Sequence, residues 1–417
     1  MKILITTSSF PNTRNSISGN FILDQINNIY AFYNDIEFIV CTPGKTISKV
    51  WENKKIKIYN YRYFLFKKYE VIGVESITDL IKKSKFYYLI LIFFMISQFF
   101  KLIRVVSKEN PDLIYAHWFT PQAIISFIVS KIYNIPYKIT IHSRDLKIID
   151  YKLGTFGKKI SKLILNSSSG VTVTSKNILR TVEAVLNKSE INDLNIIQYP
   201  MGIDSINIKS ANSDPNILKI LESKEKYLLY IGRLVEKKGL EDLIYGFSEF
   251  SKNSDYKLII AGFGSLEIKL KTLVKEQNLE NKIIFAGKVG LSEKKSLFEN
   301  SQILIVPSSI LTGLPSEGMP VTILEGLYFG KVVVASDQTN CEDVIQDGIN
   351  GFIYKSKDAE SITKVLNKIN KLEKEEFNSV SLNALESSKL YDSQGSSKVY
   401  YEFLKLWCKN FYNIQKF

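Results

Sequence analysis

The chain has 417 residues, 45% of them hydrophobic and 23% charged, with a formal net charge of +13. This length exceeds what one hydrophobic core usually serves, so two domains are expected, and the apolar share excludes a disordered chain and a coiled coil. The three cysteines, Cys41, Cys341 and Cys408, are scattered and odd in number, which excludes a disulfide framework and indicates a reducing compartment.

The first half of the chain predicts a sheet of short strands. Its first apolar run, Lys2 to Thr7, is too short for the core of a signal peptide and reads as a buried strand. Helix-length amphipathic stretches lie at Phe21–Tyr33 and Pro121–Tyr133. Strands that alternate with helices predict βα units and a parallel sheet covered on both faces. The other predicted strands are EFIVCT, IKIYNY, DLIYAHW, YKITIH, GVTVTS and NIIQYP.

One apolar segment, Phe86 to Phe100, has the sequence FYYLILIFFMISQFF between basic flanks. As a helix these residues would span about 22 Å, short of the roughly 30 Å hydrocarbon core of a bilayer, so a membrane-spanning helix is not expected. Two interpretations stay open. The segment is either a helix buried in the first domain or a helix partly sunk in a membrane surface, with lysines at the headgroups.

The second half repeats the strand–helix alternation after a polar stretch, Ser205 to Lys226, which is interpreted as the connection between domains with a lead-in helix. Two successive doubly wound domains predict a ligand-binding cleft at the carboxyl ends of their strands. The predicted strands here are YLLYIG, KLIIAG, KIIFAG, QILIVP and KVVVAS.

The excess positive charge lies almost entirely in the first half of the chain. Residues 1–204 contain 27 Lys and Arg against 15 Asp and Glu, a net charge of +12, whereas residues 205–417 contain 28 against 27, a net charge of +1. The first half is therefore expected to meet an anionic partner. Its basic residues are spread out and form no compact basic motif, so nucleic acid is not the expected partner.

The strongest local signal is the segment GLPSEGMPVTILEGLYFG, at residues 313–330. Pro320 suits the first turn of a helix, and Gly330 suits a left-handed helix stop. Glu317 falls in the loop and Glu325 about one turn into the helix, where free amides can hold phosphate and carboxylates can accept hydrogen bonds from sugar hydroxyls. Two surface glutamates near a helix start remain an equal alternative.

Cations and glycines follow the predicted strands at their carboxyl ends. Arg233 and Lys238, after YLLYIG, can face a diphosphate, although a solvated basic loop is the alternative. Gly262 lies in a Gly-x-Gly that is equally consistent with a structural turn. Both histidines of the chain, His117 and His142, end predicted strands and are candidates for the site or for structural hydrogen bonding. There is no Asp-x-Asp pair, so a metal-dependent diphosphate site is not expected.

These motifs together resemble the family-4 retaining glycosyltransferases of the GT-B fold, over nearly the whole chain. The matching segments are FPN…SGNFILDQ, AHW, IHSRD, PMGID, GRLVEKKG, IAGFGS, FAGKV and SEGMPVTILEG. The resemblance implies an α/β fold of two Rossmann-like domains that face each other across a cleft. It places an acceptor-side domain at residues 1–204, with a helix at about 396–417 crossing back onto it, and a nucleotide-sugar domain at residues 205–395.

The resemblance also implies residue roles. Arg233 and Lys238 would bind the donor diphosphate, Glu317 the hydroxyls of the donor sugar, and Glu325 the ribose. His142 would contact the transferred sugar. The catalytic set is then Glu317, His142, Arg233 and Lys238. Gly19 would allow closure on the donor, and Lys288 and Val289 would lie beside the base. The other residues of the donor-binding set are Gly262, Gly318, Met319, Pro320, Val321, Thr322 and Glu325. No metal and no cofactor are implied.

The function expected from this resemblance is hexose transfer from a nucleotide diphosphate sugar to a membrane-associated acceptor, lipid-linked or on a surface polysaccharide such as lipopolysaccharide or capsule. The enzyme would be cytoplasmic and peripheral on the inner face of a bacterial plasma membrane. Two alternatives remain, namely a nucleotide-sugar epimerase or hydrolase on the same scaffold and a non-catalytic protein that binds the membrane surface.

Overall fold

The computed structural model describes residues 1–11, 19–44, 56–73, 77–142, 145–221, 225–309 and 319–406. The chain divides into two compact units. One unit comprises Met1–Met201 together with the C-terminal stretch that begins at Ser397, and the other comprises Gly202–Ser396.

The first unit is built on a parallel sheet whose seven described strands run in the order β3-β2-β1-β4-β5-β6-β7. Chain order reverses between β1 and β4, which pair directly with Ile5 opposite Tyr115. The strands are β1 (Lys2–Thr6), β2 (Glu37–Pro43), β3 (Ile56–Tyr61), β4 (Leu113–His117), β5 (Tyr137–Ile141), β6 (Val171–Val173) and β7 (Ile196–Gln198).

Helices connect these strands, as right-handed crossovers between parallel strands require. A π-helical turn, Phe119–Ala123, and a 3-10 turn, Lys67–Tyr69, lie between them. The α-helices are α1 (Asn20–Phe32), α2 (Ile77–Lys83), α3 (Phe86–Glu109), α4 (Ile124–Tyr133), α5 (Asp145–Ser167), α6 (Lys176–Glu183) and α7 (Lys188–Asp193).

Helix α3 is longer than the sequence indicated, because its helical pattern continues for nine residues beyond the apolar run that ends at Phe100. One face is fully buried in the core through Ile90, Phe94 and Leu102, while the opposite face is exposed. On that buried face Gln98 donates from Nε2 to Thr6 Oγ1 at 2.8 Å, which ties the helix to β1. Among the described residues α3 is the one helix long and apolar enough to cross a membrane.

The second unit is built on a parallel sheet whose six described strands run in the order β10-β9-β8-β11-β12-β13. The strands are β8 (Lys226–Ile231), β9 (Tyr256–Ala261), β10 (Ile283–Gly287), β11 (Ile303–Val306), β12 (Val332–Ser336) and β13 (Gly351–Tyr354). The helices are α8 (Ser205–Ser210), α9 (Pro215–Ile220), α10 (Leu240–Phe250), α11 (Glu267–Glu276), α12 (Leu291–Asn300), α13 (Val321–Tyr328), α14 (Ala359–Asn370) and α15 (Lys374–Ser388). A last helix, α16 (Ser393–Lys405), begins in this unit and continues into the first.

From Ser397 onward α16 belongs to the first unit, because its apolar side chains fill the core there. The Lys138 side chain on β5 is 1% exposed, and its Nζ donates to the carbonyl oxygens of Phe403 and, at 2.6 Å, Leu406. Burial lowers the pKa of Lys138 to about 8. On the surface of the same unit the Tyr401 ring stacks on Tyr33 with centroids 3.6 Å apart. The C-terminal helix thus completes the first unit.

Candidate active site

The second sheet has its topological switch point between β8 and β11, where chain order reverses. Loops that leave the carboxyl ends of two such strands diverge, and the space between them is where open parallel sheets bind ligands. Here the loop after β8 leads to α10 and the loop after β11 leads to α13. The residues that the sequence analysis assigned to the diphosphate and the ribose therefore follow the two strands that flank the switch point.

Arg233 and Lys238 lie in the loop after β8, which backbone contacts hold in place. Tyr230 donates from its hydroxyl to the Arg233 carbonyl at 2.8 Å, and the Ser309 amide donates to the Lys237 carbonyl at 2.8 Å. In the part of the chain that the structure describes, no carboxylate forms an ion pair with the Arg233 guanidinium. The backbone of Arg233 is thus held at the strand end, and its guanidinium can form a bidentate pair with a phosphate.

Close backbone packing links the loops after β8, β9 and β10. Gly262 has a φ of 141°, and a Cβ atom there would lie 1.8 Å from the Gly232 carbonyl oxygen. Its amide donates to the Gly287 carbonyl at 2.7 Å. Only glycine fits this position, so Gly262 has a structural role whether or not a ligand lies beside it.

Lys288 and Val289 follow β10 at the same edge of the sheet. The Lys288 Nζ lies 5.7 Å from the centroid of the Phe263 ring, which is 44% exposed. Val289 is partly buried against the second-unit core. The half-exposed ring and the cation above it form a surface on which a flat heterocycle can stack.

The start of α13 has amides without a side-chain cap. Pro320 occupies the cap position with φ −65° and ψ 128°, and Met319 before it is buried. Within the described residues no hydrogen bond satisfies the amides of Val321 and Thr322, which are among the donors that a helix start leaves unpaired. These amides can face an anion, and their assignment to the donor phosphates stays a prediction.

Glu325 lies on α13 and is nearly buried, with 8% of the residue exposed. Its Oε1 forms an ion pair with Lys294 Nζ at 2.7 Å, from the neighbouring helix α12. Sequence reasoning missed Lys294, because no motif marks one lysine in a polar helix 31 residues away. This ion pair fixes the orientation of the carboxylate that the sequence analysis assigned to the ribose.

Two members of the predicted set, Glu317 and Gly318, lie outside the described residues. Their assignment to the donor sugar and phosphates stays a prediction. Residues 12–18, which precede Gly19, also lie outside the described residues.

The carboxyl edge of the first sheet brings its two histidines together. His117 Nδ1 lies 2.9 Å from His142 Nε2, and the rings stack with centroids 5.1 Å apart. The Phe21 ring, in the first turn of α1, packs against the His142 ring with centroids 5.0 Å apart. The Trp118 ring packs against the same imidazole with centroids 4.9 Å apart. The two imidazoles, with the Phe21 and Trp118 rings packed against His142, thus lie at the point where β4 and β5 end.

Both imidazoles are neutral in this arrangement. Burial lowers the pKa of His117 and of His142, and for His117 the neighbouring imidazole lowers it further. In a neutral pair one ring donates to the other, so each ring keeps one nitrogen for another partner. The His117 Nε2 is buried without a hydrogen-bond partner in the described part of the chain. His142 can therefore offer a hydrogen bond without contributing a positive charge.

Gly19 stands at the start of α1, as expected for a position where the chain enters a helix. It has a φ of 78°, and a Cβ atom there would lie 2.6 Å from the Ser9 carbonyl group. Both observations require glycine. Its proposed role in closure on a donor is a separate prediction.

In the described ranges no group of three or more His, Cys, Asp or Glu side chains could hold a metal ion.

Two family models match the chain, one in each unit. The model described as Glycosyltransferase Family 4 matches residues 73–197, and the model described as Glycosyl transferases group 1 matches residues 214–384. The second match includes Arg233, Lys238 and the ion pair of Lys294 with Glu325. The family that the sequence motifs indicated is thereby confirmed.

Individual relatives agree with these matches. An uncharacterized glycosyltransferase of Methanocaldococcus jannaschii is 24% identical over 89% of this chain and 89% of its own. The alpha-monoglucosyldiacylglycerol synthase of Streptococcus pneumoniae is 24% identical over 61% of this chain and 58% of its own. The structure of Anabaena HepE in complex with UDP-glucose superposes with a TM-score of 0.69 at 17% identity, covering 97% of this chain and 99% of that one.

The two parallel-sheet units, the family matches in both and the similarity to solved structures lead to one classification. The chain belongs to the glycosyltransferases of group 1 and family 4 and has the GT-B fold.

Proposed function

We propose that this glycosyltransferase is a retaining, metal-independent hexosyltransferase that moves a hexose from a nucleotide diphosphate sugar to a membrane-associated acceptor. The observation that carries the proposal is the position of Arg233 and Lys238 beside the switch point of the second sheet. A diphosphate leaving group needs positive charge at that place, and the sequence contains no Asp-x-Asp pair that would bring a metal there.

Donor binding is assigned to the second unit. Arg233, Lys238 and the amides at the start of α13 would hold the diphosphate, Glu325 the ribose, and Phe263 with Lys288 the base. Anabaena HepE, which has a similar fold, has been solved with UDP-glucose. This similarity supports a nucleotide-sugar donor for the present chain.

The proposed reaction breaks the bond between the anomeric carbon and the phosphate oxygen, and the electron pair leaves with the diphosphate. Positive charge develops on the sugar ring while the acceptor oxygen bonds to the anomeric carbon on the same face. The acceptor proton passes to the departing phosphate oxygen. Fixed cations that stabilise the leaving diphosphate contribute about 3–4 kcal/mol for each well-placed group.

His142 supports the sugar rather than the diphosphate in this scheme. Because burial lowers its pKa, the ring is neutral and adds no charge that would compete with the developing positive charge of the sugar. A neutral imidazole can still exchange a hydrogen bond with a sugar hydroxyl. Glu317 is assigned to hydroxyls of the same sugar by the motif in which it lies.

The acceptor is assigned from charge. Residues 1–204 have a net charge of +12, which suits an anionic lipid surface or a lipid diphosphate. A relative from Streptococcus pneumoniae is named as the synthase of a glucosylated diacylglycerol. We assign the chain to bacterial surface-glycan synthesis, such as lipopolysaccharide or capsule, at the cytoplasmic face of the membrane.

The test is turnover with a panel of UDP-, GDP- and ADP-sugars in the presence and absence of EDTA. Arg233→Ala and Lys238→Ala should each lower turnover by about 100-fold, as the loss of one charge-stabilising donor does. Lys252→Ala is the matched control, because Lys252 is an exposed lysine of the same unit paired with Glu249. Turnover that survives both site variants would reject the assignment, and an epimerised sugar formed without acceptor would favour an epimerase instead.

A further inference from the structure

Helix α3 presents an apolar stripe to solvent. Its large exposed side chains recur at intervals of three and four residues, so they lie on one face of the helix. The fractional exposures run from 40% at Phe86 to 56% at Phe100. The stripe consists of Phe86, Leu89, Ile92, Phe93, Ile96 and Phe100.

A neighbouring loop extends the stripe with aromatic residues. The Phe64 ring contacts Phe86 and Phe93 edge to face, with centroids 5.9 and 5.6 Å apart. Beside it Leu65 is 79% exposed and Phe66 is 56% exposed. At about 200 Å² for a large side chain, the half-exposed residues of α3 alone present about 600 Å² of apolar surface. That area is at the upper end of the range typical of the largest apolar patch on a monomeric soluble protein, and the loop residues add to it.

The rim of this surface is positively charged. Lys67 and Lys68 are exposed beside Phe66, Lys85 precedes the stripe, and Arg104 follows it. Between Phe86 and Lys108 the sequence of α3 contains no Asp or Glu. Apolar and aromatic side chains bordered by Lys and Arg match the layers of an anionic bilayer, in which rings enter the headgroup region and cations meet phosphates.

The buried face of α3 limits how deeply the helix can enter a membrane. Ile90, Phe94 and Leu102 are fully buried in the first-unit core, and Gln98 bonds to β1. A helix anchored in this way cannot leave the core to span a membrane. It can only lie parallel to the surface, with the stripe in the outer part of the bilayer.

A second copy of the chain is the main competing occupant. Pairing this surface with itself would bring the same basic rims together, and like charges in contact oppose association. An anionic lipid surface supplies the opposite charge instead. Charge therefore favours the membrane.

We propose that the α3 stripe, together with Leu65 and Phe66, is the surface by which this enzyme docks on anionic lipid. The inference deepens the proposed function and rests on its membrane-associated acceptor. Docking of this kind holds the first unit at the layer where a lipid-linked acceptor presents its headgroup.

The test is flotation of the full chain with vesicles of phosphatidylcholine alone or with about one third phosphatidylglycerol, at low and high salt. The wild type should float with anionic vesicles, and high salt should reduce the bound fraction. The triple variant Ile92→Ser, Ile96→Ser, Phe100→Ser should lose at least tenfold in partition coefficient. The matched control has three exposed apolar residues of the second unit replaced by serine, namely Ile268, Ile349 and Leu382, and should float like the wild type.

The melting temperature and donor binding of the triple variant should equal those of the wild type, which shows that the fold is intact. Equal flotation of the triple variant and the wild type overturns the docking surface. A wild type that forms a dimer, and becomes monomeric in the triple variant without floating, assigns the surface to a second copy and also overturns it. Normal flotation without any glycosyl transfer rejects the proposed function and leaves the docking surface standing.

Discussion

The ion pair of Lys294 with Glu325 provides a quantitative test of the site. At the observed 2.7 Å separation, an effective dielectric constant of about 20 gives a Coulomb attraction of about 6 kcal/mol. The Lys294 side chain is 27% exposed, so water restores part of this stabilisation when the lysine is removed. Lys294→Met leaves a nearly buried carboxylate unpaired, and we expect a loss of about 3 kcal/mol in the free energy of unfolding.

Differential scanning calorimetry of the full chain measures this effect. For a unit of about 200 residues a loss of 3 kcal/mol lowers the melting temperature by about 6–12 °C. Lys271→Met is the matched control, because Lys271 pairs with Glu267 at 2.8 Å on an exposed helix face. Such a pair contributes only about 0.3–0.5 kcal/mol. The double variant Lys294→Met, Glu325→Gln buries no unpaired charge and should recover most of the stability.

The same variants distinguish stability from donor binding. Because Lys294 orients Glu325, Lys294→Met should also weaken donor binding by about tenfold, or about 1.4 kcal/mol. The double variant should recover stability without recovering donor affinity, since the carboxylate is gone. A loss in Lys294→Met no larger than that in Lys271→Met would refute the reasoning from burial.

Two further predictions concern the glycine contacts and the histidine pair. Gly262→Ala should lower the free energy of unfolding by about 3 kcal/mol, because the new Cβ meets the Gly232 carbonyl. Gly348 also has a positive φ but open space around it, so Gly348→Ala should lower that free energy by only about 1 kcal/mol. Urea unfolding of the two variants and the wild type measures the difference. For His117 and His142, burial lowers the folded-state pKa below the unfolded value of about 6.5, so the unfolded state binds more protons below that pH. Stability should therefore fall as pH drops below about 6.5, by up to 1.4 kcal/mol per pH unit for each histidine, and His117→Gln should reduce that slope in urea titrations at pH 5 and pH 7.

Much of the fold could be predicted because buried parallel strands are apolar runs bounded by turn residues. The run IKIYNY coincides with β3, Ile56–Tyr61, and the other predicted strands differ from the structure by a few residues at their ends. The strand β13, Gly351–Tyr354, was missed because it is short and begins with glycine. The length of α3 was underestimated because charged residues after Phe100 ended the apolar run while the helical spacing of buried residues continued.

The site was predictable where chemistry follows a strand end, and not where it depends on packing between distant helices. Arg233 closely follows a predicted strand and the two histidines lie at the ends of theirs, so their position at the sheet edge follows from parallel topology. The contact between His117 and His142 follows from the pairing of β4 with β5. Lys294 and Glu325 meet because α12 packs near α13, and nothing local in either helix encodes that contact.

The position of α16 has a consequence for how the chain is made. The first unit is discontinuous in sequence, since Tyr400 and Phe403 fill its core from beyond the second unit. During synthesis these side chains emerge from the ribosome only after all of Gly202–Ser396. The core of the first unit beside Lys138 therefore stays incomplete while the second unit can already fold. The part of the protein that is translated first is the part that is finished last.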